Sequence, residues 1–206
     1  MLKTECDPSD VAAIIIEPIL GEAGVLEAPE VRPRLWGGAL AATASSRPGA
    51  RSLTGRVTGD GAGDAPSVSP ATSQGLLDGI RQICSEHGII MIVDEIQSGS
   101  CRTGKWWAHE QMMHDGMPDM MLFGKGIGSG IPIAGIATRK EVFDSCHPGA
   151  IGGTFVGNPI AAACACATID VLCEENLCQN ACERGKQMME GLMKLKDKNM
   201  GIVDVR

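Results

Sequence analysis

The sequence predicts an α/β fold with a mainly parallel sheet and flanking helices. Three observations carry this. Short apolar runs of strand length occur at VAAIII (11–16), IIMIVD (89–94), Asp119–Phe123 and Pro132–Ala137. Segments with a 3.6-residue apolar period lie between and after them. Strand and helix alternate through short connections, as in sheets whose strands are joined by crossover helices.

VAAIII is rich in β-branched residues and reads as a buried strand. In LLDGIRQICSEHG, Leu76, Leu77, Ile80, Ile83 and Cys84 share one helical face. Gly88 then supplies the left-handed residue that ends a helix, and His87 before it suits the helix dipole. IIMIVD is apolar up to its final acid, which predicts a parallel strand covered on both faces. WWAHEQMMHD reads as helical, with His109 and His114 on its surface. Asn158-Pro159 reads as an N-cap followed by proline at the first helical position. IAAACACATIDVLC is small and apolar nearly all round, which predicts a buried helix. ENLCQNACERGKQMMEGLMKLK predicts an amphipathic surface helix.

Composition excludes several classes. A net charge of −7 disfavours a nucleic-acid or acidic-membrane surface. Three Phe, three Trp and no Tyr are too few for base-stacking modules. No apolar run reaches the ~18 residues of a membrane span, and MLKTECDPSD has no secretory-signal pattern. Nine cysteines, an odd number without a CxxC pair, predict reduced thiols in an intracellular compartment, cytoplasmic or mitochondrial.

One stretch departs from the rest. Residues 31–75 hold five of the ten arginines, eight glycines and no lysine, with neither a helical nor a strand period. Its apolar residues are mostly alanine, too little area to offset ordering entropy. Residues 30–72 are expected to be a disordered insertion that contributes no site residue.

In open α/β sheets, ligands bind beyond the carboxyl ends of the strands. Glu17 and Glu22 follow the first strand, Asp94, Glu95 and Gln97 the second, and Lys125 the third. A lysine in a dry pocket can lose its proton and attack a carbonyl. A nearby carboxylate can keep a pyridine nitrogen charged. Position alone is equally compatible with a turn-capping Asp94 and a solvated Lys125. GSCRTGK (99–105) begins like a phosphate-binding loop. However, Trp106 stands where a Ser or Thr would hold magnesium, which disfavours nucleotide hydrolysis. GKGIGSG (124–130) fails the GxGxxG dinucleotide pattern in both registers, at Ser129 and Ile131. Its glycines instead allow close backbone approach to a ligand or a neighbouring subunit. Cys164, Cys166, Cys173, Cys178 and Cys182 lie on predicted helices without a histidine or second pair at ligand spacing. They read as packing thiols, and no metal site is predicted.

Taken in order, IIIEPILGEAGV, IIMIVDEIQSGSCRTGKWWAHE, PDMMLFGKGIGSGIPIAGIAT and GGTFVGNPIAAACA resemble the class III pyridoxal-phosphate aminotransferases. The wording is similar to 4-aminobutyrate and other ω-amino-acid aminotransferases. The resemblance implies the large α/β domain of fold type I and pyridoxal 5'-phosphate (PLP) as cofactor. It also implies a homodimer with sites at the interface. The reaction implied moves an amino group from an ω-amino acid to a 2-oxo acid. Ornithine-type, alanine–glyoxylate-type and aminomutase activities are the alternatives.

Carried over by motif, Lys125 would link to the cofactor and shuttle a proton between it and the substrate Cα. Asp94 would bond the pyridine nitrogen, Ile96 would pack on the ring and Gln97 would reach the phenolic oxygen. Thr154 would hold the phosphate of the partner subunit's cofactor. Glu22 would pair with a switching arginine on the substrate side. The family's phosphate cup, stacking aromatic and arginine-bearing terminal domain have no counterpart in this text. Residues 1–29 and 73–206 would then be an incomplete PLP-binding large domain, a central fragment expected to be inactive alone.

Overall fold

The computed structural model describes residues 7–22, 24–27, 75–114, 116–198 and 201–205. The expected insertion at 30–72 lies outside the described residues. Strand β1 (Ala13–Ile16) leads into a small antiparallel hairpin of β2 (Ile19–Leu20) and β3 (Leu26–Glu27). Helix α1 (Leu76–His87) precedes β4 (Ile90–Asp94), and β5 (Met120–Gly124) and β6 (Ala134–Thr138) follow. The C-terminal part is helical: a short α2 (Lys140–Asp144), α3 (Pro159–Glu174) and α4 (Leu177–Lys198).

The main sheet has the order β1-β4-β5-β6. β1, β4 and β5 run parallel, and β6 is antiparallel to β5. The reversal has a simple cause. Only residues 125–133 separate β5 from β6. A parallel return needs a crossover of about a dozen residues or more.

Register sets the two faces of the sheet. Ile14 lies beside Met91, Ile16 beside Val93, and Val93 beside Met121. Met91 and Val93 are buried against Leu77, Cys84 and Ile89, with Ile14, Ile16 and Ile80 packed around them. Each fully buried side chain of this kind contributes roughly 1.5–3 kcal/mol. Gly88 ends α1 in the left-handed region at φ 69°, with its N–H donating to the Cys84 carbonyl.

Three expectations are corrected. The IIMIVD strand was expected to be covered on both faces, but among the described residues its second face is open. Ile15, Ile90 and Ile136 on that face are exposed. WWAHEQMMHD forms only the 3-10 turn Ala108–Gln111, with His109 buried inside it and His114 on irregular chain. The apolar helix α3 has one buried residue, Ala161. α3 packs chiefly on the 3-10 turn Lys125–Gly128 and on α4. Among the described residues its remaining apolar surface is mostly exposed. Asn158 does cap it, Oδ1 accepting from the N–H groups of Ile160 and Ala161. No helix among the described residues is long and apolar enough to cross a membrane.

At the amino end of β5, Asp119 ties four elements together. Its Oδ2 accepts from Arg81 of α1 at 2.7 Å and from the Met91 N–H of β4 at 2.8 Å. Its Oδ1 accepts from Arg139 at 2.7 Å, and its carbonyl accepts from the Thr138 hydroxyl. Arg81 keeps its bonds to the Ser85 hydroxyl and the Met117 carbonyl, so removing the carboxylate leaves chiefly the Met91 N–H unpaired, at about 1–3 kcal/mol. Asp119→Ala should therefore lower the urea midpoint by that amount of stability. An unchanged midpoint would show that water replaces these bonds without loss.

Candidate active site

Three parallel strands end at one edge of the sheet, and each end carries polar chain. β1 runs into Glu17 and Pro18 and then the hairpin whose turn holds Gly21 and Glu22. β4 ends on Asp94 and turns through 95–100. β5 ends on Gly124, and Lys125 opens the 3-10 turn Lys125–Gly128.

Side chains from the second and third loops meet, beside the backbone of the first. Lys125 Nζ donates to Gln97 Oε1 at 2.7 Å. The other side of the Gln97 amide lies against Gly21, where an added Cβ would sit 2.4 Å from Nε2. A side chain at residue 21 would push the Gln97 amide aside; with glycine there, Gln97 spans from the β1 loop to the β5 loop. The Gly21 N–H donates to Glu17 Oε2 at 3.2 Å, which fixes the start of the hairpin. Gly124 is also packed close: a Cβ there would be 3.2 Å from the Ile133 carbonyl oxygen and 3.5 Å from Ile96 Cγ2. Ile96 thus lies next to the residue that precedes Lys125.

Asp94 is half-buried, and its Oδ1 accepts from the Ile96 N–H at 2.9 Å. The carboxylate therefore shapes its own turn. Oδ2 has no hydrogen-bond partner among the described residues. Lys125 adopts φ 45°, in the left-handed region that favours glycine. A non-glycine residue there carries strain of order 1 kcal/mol or more, a state that clusters at functional sites.

Asp94, Ile96, Gln97 and Lys125 are thus assembled at one strand edge. Glu22 is exposed beside Gly21 in the hairpin turn. Thr154 is exposed in the turn before α3. Among the described residues, neither hydrogen-bonds to Asp94, Gln97 or Lys125.

Sequence reasoning missed the group beneath this edge. Glu95 is 1% exposed. Its Oε1 accepts from the His109 N–H and pairs with His109 Nδ1, both at 2.8 Å, and its Oε2 accepts from the Ser98 hydroxyl at 2.6 Å. Burial pushes the Glu95 carboxyl up, but hydrogen bonds from His109, Ser98 and the Ala108 N–H outweigh it. The net effect holds Glu95 below the ordinary glutamate range. His109 is itself 3% exposed, and its Nε2 has no partner among the described residues. This cluster clamps the turn that carries Ile96 and Gln97 onto residues 107–111. In the sequence, only the second acid directly after the one that closes the apolar strand hinted at it.

The glycines of GSCRTGK serve packing. A Cβ on Gly99 would lie 2.6 Å from the Trp107 ring, and one on Gly104 would lie 2.2 Å from Cys182 Sγ. In GKGIGSG, a Cβ on Gly128 would lie 2.7 Å from Ile133 Cγ2. Gly99, Gly104 and Gly128 thus lie close against the chain's own side chains.

Comparison with known proteins agrees with this architecture. The family model described as aminotransferase class-III matches residues 67–206. The 4-aminobutyrate aminotransferase GabT of Escherichia coli K12 is 34% identical over all 206 residues, which is 38% of that protein's length. An acetylornithine aminotransferase of Methanopyrus kandleri is 35% identical over 188 residues, covering 91% of this chain and 36% of that one. Among solved structures, an ornithine aminotransferase of Toxoplasma gondii, with PLP at partial occupancy in its active site, superposes with a TM-score of 0.64. It is 30% identical and covers 91% of this chain and 33% of its own. The chain spans little more than a third of the length of the relatives it matches. By sequence match over most of its length and by fold, it belongs to the class-III aminotransferase family.

Proposed function

We propose that this chain provides the cofactor-anchoring centre of a PLP-dependent transaminase. Its amino donor would be an ω-amino acid such as 4-aminobutyrate and its acceptor a 2-oxo acid. The carrying observation is the convergence of Lys125, Gln97, Ile96 and Asp94 at the carboxyl edge of parallel strands. The donor set fits PLP: a primary amine for its aldehyde, a carboxylate for its ring nitrogen, an amide for its phenolic oxygen and an apolar side chain for its ring. Bound PLP supplies an electron-withdrawing ring that stabilises charge on the carbon bearing the amino group.

The chain's own residues would act as follows. Lys125 holds the cofactor and, once freed by substrate, moves a proton to and from that carbon. Asp94, through the oxygen not committed to Ile96, keeps the ring nitrogen protonated. Gln97 steadies Lys125 before loading and the phenolic oxygen after it. Ile96 excludes water from one ring face. Glu22 lies on the substrate side. In a homodimer, the exposed Thr154 hydroxyl holds the phosphate of the partner subunit's cofactor.

The donor assignment rests on the likeness to GabT, and the likeness to ornithine and acetylornithine enzymes supports a second reading. Chimeras test both. Residues 1–29 and 73–206 replace the matching segment of GabT and, separately, of the Methanopyrus kandleri acetylornithine aminotransferase, and kcat/KM is measured in both hosts with 4-aminobutyrate, ornithine and N-acetylornithine. A preference for 4-aminobutyrate of about tenfold or more, equivalent to at least about 1.4 kcal/mol, is expected. A preference for either ornithine donor transfers the assignment to the second reading. No transamination with any donor overturns the function.

A further inference from the structure

Eight cysteines are described, and all are free thiols. Two of them stand apart from the rest. Cys101 Sγ and Cys178 Sγ are 2.7 Å apart, although 77 residues separate them in sequence. We propose that Cys101 and Cys178 form a disulfide-modification site that takes a low-molecular-weight disulfide such as oxidised glutathione as its oxidant.

The surroundings hold both sulfurs in place. Ser100 and Cys101 are consecutive non-glycine residues in the left-handed region, at φ 55° and 67°. The Cys101 N–H donates to the Trp106 carbonyl, and the Gly104 N–H donates to the Cys101 carbonyl. On the other side, Cys178 lies in the first turn of α4. One turn further on, Cys182 packs on Gly104, the residue a Cβ could not occupy. The helix start is thereby seated on the 101–104 loop with Cys178 above Cys101. No metal competes for the pair: among the described residues no group of three or more His, Cys, Asp and Glu could hold one.

Exposure sets the order of steps. Cys101 is 3% exposed, whereas Cys178 is only half-buried. The Cys178 thiolate attacks one sulfur of the small disulfide. That forms a mixed disulfide and expels one small thiol, which takes the proton Cys178 gave up. Cys101 then attacks the Cys178 sulfur, loses its own proton and expels the second small thiol. Two protein thiols are oxidised by two electrons, and the oxidant is reduced to two thiols. The second step needs no solvent access, because the attacking and attacked sulfurs are already in contact. Burial, with Cys178 alongside, pushes the Cys101 thiol up to about 12. A thiol of that kind is scarcely ionised at neutral pH, so the second step depends on the two sulfurs being held in contact and is the slower of the two. The bond would tie α4 to the loop four residues after Gln97.

The test is a disulfide map of the 206-residue chain after incubation with oxidised glutathione, with and without urea. The expected result is a chain lighter by two hydrogens, with fragmentation placing the bond between Cys101 and Cys178. It should form at least ~100-fold faster in the native chain than in the unfolded one, the gain of held neighbours. Cys178→Ser should abolish it, and Cys146→Ser, at an exposed thiol that contacts the Val142 carbonyl, should leave its rate unchanged. A different pairing in the native chain, no bond at all, or equal rates with and without urea would overturn the proposal.

Discussion

Lys125→Ala in the GabT chimera should reduce transamination by about a thousandfold or more, the scale of losing a group that serves as both nucleophile and proton carrier. The same change should remove a second signal that needs no turnover. When the 206-residue chain is treated with PLP and borohydride, the reduced pyridoxyl group should appear at Lys125 ahead of the other lysines. Two features single it out. Its amine is already aimed by Gln97 Oε1 at 2.7 Å, and its backbone is held at φ 45° by the chain around it. The other described lysines either lack a contact of this kind or pair with a carboxylate, as Lys140 does with Asp144 and Lys196 with Asp204. Folding should survive, because Lys125 is exposed. Lys125→Arg is the informative companion. It keeps the charge and a donor for Gln97 but offers no amine for the aldehyde, so it should fail as completely as alanine. Labelling spread evenly over the lysines, or activity retained by either variant, would remove Lys125 from its role.

The parts of this site that were legible share a cause. Asp94 and Lys125 each close an apolar strand, and a charged residue at that place stands out against five apolar neighbours. Resemblance of the motifs around them pointed to Ile96 and Gln97, which lie beside Gly124 and Lys125, and to Thr154 and Glu22, which make no hydrogen bond to that cluster among the described residues. The Gln97–Lys125 hydrogen bond was not legible, because it depends on the β4–β5 register that sets Asp94 beside Leu122. The reversal of β6 could have been read from the short 125–133 connection but not from residue type, since IPIAGIAT has the same composition in either direction. His109 was misplaced because AHEQ, beside a helical-looking run, suggested an exposed face. Its burial is imposed by Glu95, 14 residues earlier, which no local pattern encodes. The covering of α3 and of the second sheet face was over-read for a related reason. Apolar character says that a surface favours contact, and it does not name the element that makes it.

The largest stability effect should come from that same Glu95. Its carboxylate is enclosed by donors from the His109 N–H, the His109 ring, the Ser98 hydroxyl and the Ala108 N–H. Glu95→Ala leaves these buried donors unpaired, at a cost of about 3–5 kcal/mol in all, since each stranded buried donor costs about 1–3 kcal/mol. Glu95→Gln keeps the shape and one acceptor, so it should lose about half as much. The pH dependence fixes the sign. Hydrogen bonding outweighs burial and holds the folded-state pKa of Glu95 below its ordinary value. Its contribution is therefore complete above the unfolded glutamate pKa of about 4.3 and is lost as pH falls through the lower folded value. Urea midpoints of the wild-type chain and Glu95→Ala should differ most near neutral pH and converge under acid, below about pH 4. Glu141→Ala, at an exposed carboxylate on α2, should track the wild type throughout. The displaced turn has a further consequence at the site above it. Glu95 sits between Asp94 and Ile96, and its backbone N–H donates to the Leu122 carbonyl of β5. Loosening it should slow pyridoxyl labelling of Lys125 without changing which lysine is labelled. A gap between wild type and Glu95→Ala that stays constant from neutral to acid pH would mean that the carboxylate's charge contributes nothing and only its shape matters.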